Sequence, residues 1–263
     1  MLTTLYVVRH AHRMSHGTFR ALSDVVRDPP LTARGEEQLG PLAHFFAEMP
    51  ANEQPQLLVC SPYTRCLRTA MPIAEALPHV PLVVEPGLAE WFAPVWPESS
   101  GRHPSPRAAE HVAPLFPRVD TRWTPLLYPD PMGESLPQVH ARMKELSRRI
   151  AERCKAWQVE RVACITHAAP AIALGRMLQT NGTFEDVAHL EVRAATASVS
   201  KYVKEGDVWR IVYNGATDFL PNGEERAWDF SFVPSNNTEP GMGPEWHDPY
   251  EPHDASLLYR AKL

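Results

Sequence analysis

The sequence predicts a three-layer α/β/α domain built on a mostly parallel central sheet, with an irregular lobe inserted into it. Three observations carry this. Short apolar runs at Leu5–Val8, Leu57–Cys60 and Val162–Thr166 are bounded by polar residues and rich in β-formers, as strands covered on both faces are. Each run is followed by a segment with helical periodicity or a helix-start signal, so a strand–loop–helix unit recurs. The chain has 263 residues and is 44% hydrophobic, enough for one substantial core.

The elements follow in order. After Leu5–Val8, Thr32 is positioned to cap a helix with Glu36 and Glu37 in its first turn and Leu39, Leu42, Ala43 and Phe46 on one face. After Leu57–Cys60, Ser61 and Pro62 read as a cap and a first-turn proline for a helix reaching about Leu77. Leu82–Val84 is a further strand. Residues 86–132 are dense in proline and aromatics without periodicity, including Trp91, Phe92, Trp96, Phe116, Trp123 and Tyr128. A connection of that length reads as an inserted, substrate-covering lobe. Ser135 and Pro137 open a long helix with Val139, Met143, Leu146 and Ile150 on one side, and a helix over Ala171–Leu178 follows the Val162–Thr166 strand. Thr196–Val203 and Val208–Tyr213 form a hairpin across Glu205-Gly206-Asp207. The expected organisation is a catalytic domain over 1–215 and a surface-wrapping or partly disordered extension over 216–263.

The formal charge of −5 offers no general attraction for nucleic acid, so no direct nucleic-acid partner is expected and an anionic ligand would need local capture. Cys60, Cys66, Cys154 and Cys164 lack the close pairs of a zinc site and read as buried free thiols. The N-terminus has no apolar stretch of secretory length, and no run is long enough to span a bilayer. The expectation is a cytoplasmic protein without a membrane partner.

Three strand ends carry residues suited to phosphate chemistry: His10 after the first strand, Ser61 and Arg65 after the second, and His167 after Val162–Thr166. In open α/β sheets ligands bind beyond the carboxyl ends of strands, so these residues converge although they are distant in sequence. Arg9, Arg13 and Arg65 offer planar guanidinium groups that match phosphate oxygens. His10 is then placed to attack phosphorus in line, forming a phosphohistidine that water cleaves, with His167 among the cationic groups that stabilise the transition state. Glu90, at the mouth of the lobe, is the candidate acid for the leaving alcohol, with Trp91 and Phe92 positioned to dry it and raise its pKa. His12 and His16 read as structural or rim residues. A metal pair at His10 and His12 is disfavoured because strand alternation points the two rings apart. No metal and no organic cofactor are implied.

These residues resemble the histidine phosphatase superfamily, in its phosphoglycerate mutase-like branch. Its Arg-His-Gly signature is matched by Arg9-His10-Ala11, its Ser-Pro-x-x-Arg by Ser61-Pro62-Tyr63-Thr64-Arg65 with Thr69 following, and its late histidine by Thr166-His167. Arg13 and Gly87-Leu88-Ala89-Glu90-Trp91 are most like two members. One is the phosphatase domain in a subunit of a yeast RNA polymerase III transcription factor; the other is the suppressor-of-T-cell-receptor-signalling phosphatases. The resemblance spans roughly residues 3 to 215 and implies hydrolysis of a phosphomonoester, on a phosphorylated small molecule or a phosphoprotein. The rival readings are an interaction module with weak or no catalysis, a mutase, or an enzyme of hydrophobic phosphorylated or diphosphorylated metabolites using the same pocket. Ala11 departs from the family's glycine. A positive φ there would cost on the order of 1 kcal/mol with a Cβ present, whereas a negative φ makes alanine harmless.

Overall fold

The computed structural model describes residues 1–14, 28–94, 103 and 105–232. His16, Trp96, Arg102 and the extension beyond 232 lie outside the described residues. Six strands form one sheet in the order β3-β2-β4-β1-β5-β6. These are β1 (Thr4–Arg9), β2 (Leu57–Cys60), β3 (Leu82–Val84), β4 (Arg161–Thr166), β5 (Val199–Glu205) and β6 (Val208–Ala216). β1 to β4 are mutually parallel, and the β5–β6 hairpin adds antiparallel to β1. The predicted three-layer fold is what forms.

Side-chain alternation along the strands builds the three layers. Tyr6, Val8, Leu58, Cys60, Leu82, Val84, Ala163 and Ile165 face one way, into a core with Leu39, Leu42 and Phe46 of α1 (Ala33–Ala47) and Leu67, Ala70 and Ile73 of α2 (Thr64–Ala76). Leu5, Val7, Leu57, Val59, Val83, Val162 and Cys164 face the other way. They pack against α4 (Leu136–Trp157) and α5 (Ala168–Gln179), contributed after the short α3 (Ala109–Val112). Covered on both sides, the strands can afford to be apolar at every position, which is why they read as continuous hydrophobic runs.

Thr32 accepts the Gly35 N–H, and Ser135 with Gln138 forms a reciprocal capping box, as expected. Ser61 does not cap α2. That helix begins at Thr64, whose N–H and hydroxyl both donate to Asp28 Oδ2, so a loop carboxylate does the capping and the Ser61 hydroxyl is left for the site. α5 starts three residues earlier than its apolar periodicity suggests, directly after His167. A short α6 (Phe184–Val187) precedes the hairpin, whose turn uses Gly206 at φ +62°.

The lobe is anchored by Glu85, which is fully buried and accepts from the Gly87, Leu126 and Leu127 N–H groups and from Trp123 Nε1. Four donors satisfy a carboxylate that burial would otherwise penalise. Residues 217–226 fold back onto the domain, with Leu220, Glu225 and Arg226 buried. Among the described residues no helix is long and apolar enough to cross a membrane, and the four cysteines are free and buried.

Candidate active site

Sheet order brings the candidates together. β4 lies between β1 and β2, and the register pairs Arg9 with Thr166 and Cys60 with Ile165, so His10, His167 and Ser61 leave the sheet side by side at its carboxyl edge. The His10 N–H donates to Thr166 O and the Ser61 N–H to Ile165 O, both at 2.9 Å, which holds these junctions in the ladder. The His10 and His167 ring centroids are 5.4 Å apart.

His10 is 1% exposed, and its Nδ1 lies 2.7 Å from Ala11 O. A carbonyl only accepts, so Nδ1 carries the proton and the Nε2 lone pair is available. Burial, then the charges of Arg65, Arg9 and Arg13, hold its pKa well below the ordinary histidine range. His10 is therefore neutral in this surrounding, the form a nucleophile needs.

Arg65 is fully buried. Its Nη1 meets Asp28 Oδ1 at 3.2 Å, and its Nη2 meets Glu90 Oε2 at 3.1 Å and His167 Nδ1 at 2.9 Å. Burial opposes its charge, but Glu90 and Asp28 outweigh that and raise its pKa. Its Nε has no hydrogen-bond partner among the described residues. Since Arg65 donates to Nδ1, His167 carries its proton on Nε2 and donates to Ser61 Oγ at 2.8 Å. Burial, then Arg65, keeps His167 well below its ordinary pKa, so in this surrounding the ring is a neutral donor, where the sequence suggests one of the cationic groups around the phosphoryl oxygens.

Arg9 and Arg13 flank His10. Arg9 Nη1 donates to Ala194 O and Arg226 O, both at 2.6 Å, and Arg13 Nη1 donates to Met14 O at 2.6 Å. Burial, followed by Arg65 and Arg226, pushes the Arg13 pKa down. Three guanidinium groups, of Arg65, Arg9 and Arg13, thus act on His10 together, a positive field suited to an anion.

Glu90 lies where the lobe leaves β3, its Oε1 accepting the Trp91 N–H and its Oε2 facing Arg65 and, at 3.4 Å, His167 Nδ1. Trp91 turns into the core and Phe92 stacks on His103, with centroids 4.8 Å apart. His10, Glu90 and His167 each offer a ligand atom within 4.8 Å of the others. A guanidinium donating to both Glu90 and His167 Nδ1 sits among these donors, which disfavours a metal cation there. Cys66 Sγ lies 3.5 Å from His167 Nε2, but burial raises its thiol pKa and leaves it a poor nucleophile. His12 is a structural neighbour, its N–H donating to Gln38 Oε1 and its Nδ1 bonded to Thr32 Oγ1.

Ala11 does not occupy the left-handed region; the described non-glycine residues with positive φ are Gln158, Ala197 and Arg226. It is fully buried, and its N–H donates to Thr69 Oγ1, whose hydroxyl donates to Arg65 O. The alanine therefore fits without strain.

Four supports escape sequence reasoning. Asp28 braces Arg65 and α2. Arg142, paired with Glu134 in a buried bridge at 2.7 Å, donates to Gly87 O and Ala89 O and so shapes the loop that carries Glu90. Gln38 bridges His12, Thr196 and Glu225. Arg226, at φ +53°, accepts from Arg9 and donates from Nη1 to Arg13 O. None lies in a motif, and only their tertiary partners distinguish them from surface polar residues.

A mostly parallel sheet with an arginine-framed histidine pair at its carboxyl edge is an arrangement suited to phosphoryl transfer. Residues 5–217 match the model of the histidine phosphatase superfamily (branch 1), and the chain belongs to that family. A Saccharomyces cerevisiae relative, the transcription factor tau 55 kDa subunit, is 30% identical over 272 residues, covering 89% of this chain and 60% of the relative, so the chain spans less than two thirds of that protein. Among solved structures, the ecdysone phosphate phosphatase of Bombix mori in complex with tungstate has a TM-score of 0.60 at 17% identity, covering 81% of this chain and 93% of its own. A mycobacterial glucosyl-3-phosphoglycerate phosphatase complexed with VO3 has a TM-score of 0.53 at 20% identity, covering 81% and 100%. These similarities show the shared fold.

Proposed function

We infer that the protein is a phosphohydrolase that cleaves phosphomonoesters through a phosphohistidine on His10. The observation that carries this is the neutral, Nδ1-protonated His10 ring set among the charges of Arg9, Arg13 and Arg65. A neutral imidazole buried among the Arg9, Arg13 and Arg65 guanidinium groups suits nucleophilic attack on an anion.

In this reading the phosphoryl oxygens take up the Arg65 donors, including the partnerless Nε, and are held in line with His10 Nε2. The Nε2–P bond forms as the P–O bond to the alcohol breaks, and Glu90 supplies the proton to the departing oxygen. Water then attacks phosphorus, gives its proton to Glu90, and releases His10 and inorganic phosphate. His167 donates to the phosphoryl group with Ser61 fixing its ring. No metal or cofactor enters this scheme. The four buried free thiols support a reducing, cytoplasmic setting.

The test is turnover of phenyl phosphate together with trapping of labelled protein under alkaline denaturing quench, where phosphohistidine survives. Wild type is expected to turn over and to label, and His10→Ala to do neither. Wild type without either signal overturns the reading. It would favour the second one, an interaction module, which the similarity to a transcription factor subunit supports.

A further inference from the structure

Beside the histidine pair lies a cavity of about 230 Å³ whose lining includes Tyr63, Glu90, Phe92, His103, Tyr128 and Asp130. Two lining residues belong equally to the catalytic cluster. Tyr63 packs edge-on to His167, with centroids 5.1 Å apart, and lies under the Arg65 guanidinium at 4.7 Å. Glu90 is the candidate acid. The cavity therefore opens onto the side of the site from which the leaving alcohol departs.

Its chemistry is specific. The Phe92 and His103 rings stack at an interplanar angle of 11°, and His103 is oriented by its Nε2, bonded to Ala93 O at 2.8 Å. Tyr128 and three prolines complete an apolar wall. The volume exceeds the roughly 150 Å³ that admits benzene. The charged side chains of this lining are carboxylates: Glu134 is neutralised by Arg142, whereas Asp130 is exposed and its Oδ1 accepts only from a backbone group, the Met132 N–H. Among the described residues the lining carries no lysine or arginine.

We propose that this cavity receives the leaving group, and that it selects phosphate monoesters of a single planar ring bearing no negative charge. The proposal rests on the phosphatase reading and names its substrate class. A ring stacks against Phe92, which His103 backs, while a second phosphate or a carboxylate would meet Asp130, which has no ion-pair partner among the described residues and adds to the Arg65-paired Glu90. A cationic substituent gains from the same field and from the aromatic walls.

The experiment compares phenyl phosphate, 4-carboxyphenyl phosphate and 4-(aminomethyl)phenyl phosphate on the full chain, with glycerol 1-phosphate as a ringless reference. Calorimetric binding of the matching arylphosphonates runs in parallel. In wild type the carboxylate should lower kcat/KM and phosphonate affinity about tenfold relative to phenyl, and the ammonium should match or exceed phenyl. Asp130→Lys, at an exposed position, should erase or invert that order. Phe92→Ala should weaken the aryl compounds and spare glycerol 1-phosphate. Equal handling of the carboxylated and plain rings in wild type overturns the proposal, as does an order unchanged by Asp130→Lys. The phosphonate arm reads selectivity without turnover. Charge selection in binding with no turnover would therefore sink the phosphatase reading alone, and turnover without selection would sink the pocket assignment alone.

Discussion

Arg65 Nη2 donates to His167 Nδ1 at 2.9 Å, and this one contact decides the tautomer and charge of the second histidine. A donor at Nδ1 obliges the ring to carry its proton on Nε2 and makes a cationic His167 expensive. Arg65 thereby links Glu90 and His167.

Replacement of Arg65 by lysine should consequently be far from conservative. A lysine ammonium cannot reach Asp28, Glu90 and His167 with the fixed fork that Arg65 uses, and it leaves carboxylates poorly compensated. The expected loss in kcat/KM is about 10²–10³-fold with the fold retained by circular dichroism. A loss below about threefold would show that Arg65 serves packing alone.

The acid limb of kcat/KM should reflect the depressed pKa of His10. Its folded pKa lies below 6.5, so His10 stays neutral as pH falls through the ordinary histidine range. With a substrate whose phosphate ionisation is corrected for, the limb is expected well under pH 6.5. A limb at or above 6.5 would contradict the neutral-nucleophile arrangement.

Stability has the same sign. His140, whose Nδ1 donates to Leu136 O, is lowered by burial to about 4. The unfolded chain protonates it near 6.5 and the fold does not, so stability is intact above about 6.5 and is lost as pH falls toward 4. His140→Gln should flatten the dependence of Tm on pH in that window. An identical slope in wild type and variant would remove His140 from the account.

Restoring glycine at position 11 should not speed the reaction. Ala11 is outside the left-handed region, so no strain is relieved, while the added unfolded-state freedom should cost about 0.5–1 kcal/mol. Urea titration and initial rates check both halves, and a several-fold rate gain would mean that the Cβ obstructs phosphate.

Arg226 should matter although it lies beyond the matched family region of 5–217. It carries Arg9 on its carbonyl and holds the Arg13 carbonyl through its own side chain. Arg226→Ala is expected to lower kcat about tenfold more than it raises KM for a small substrate, because the nucleophile's flanks lose register. Partial recovery in Arg226→Lys would mark a positioning role, and an effect confined to Tm a structural one.

The sequence by itself determined the layers and the motif-bearing strand ends. Alternating or continuous apolar runs encode burial locally, and His10, Arg65 and His167 each sit one helix-start away from such a run. Cap signals at Thr32 and Ser135 were legible for the same reason. Only the tertiary structure decided that Asp28, not Ser61, caps α2, and that Arg226 reaches back across more than two hundred residues to the nucleophile loop. It likewise decided that His167 is neutral and that Ala11 is unstrained. Those outcomes depend on donors, acceptors and charges that meet through sheet order and loop return, interactions whose strength is set by distance and burial and which leave no periodic trace along the chain.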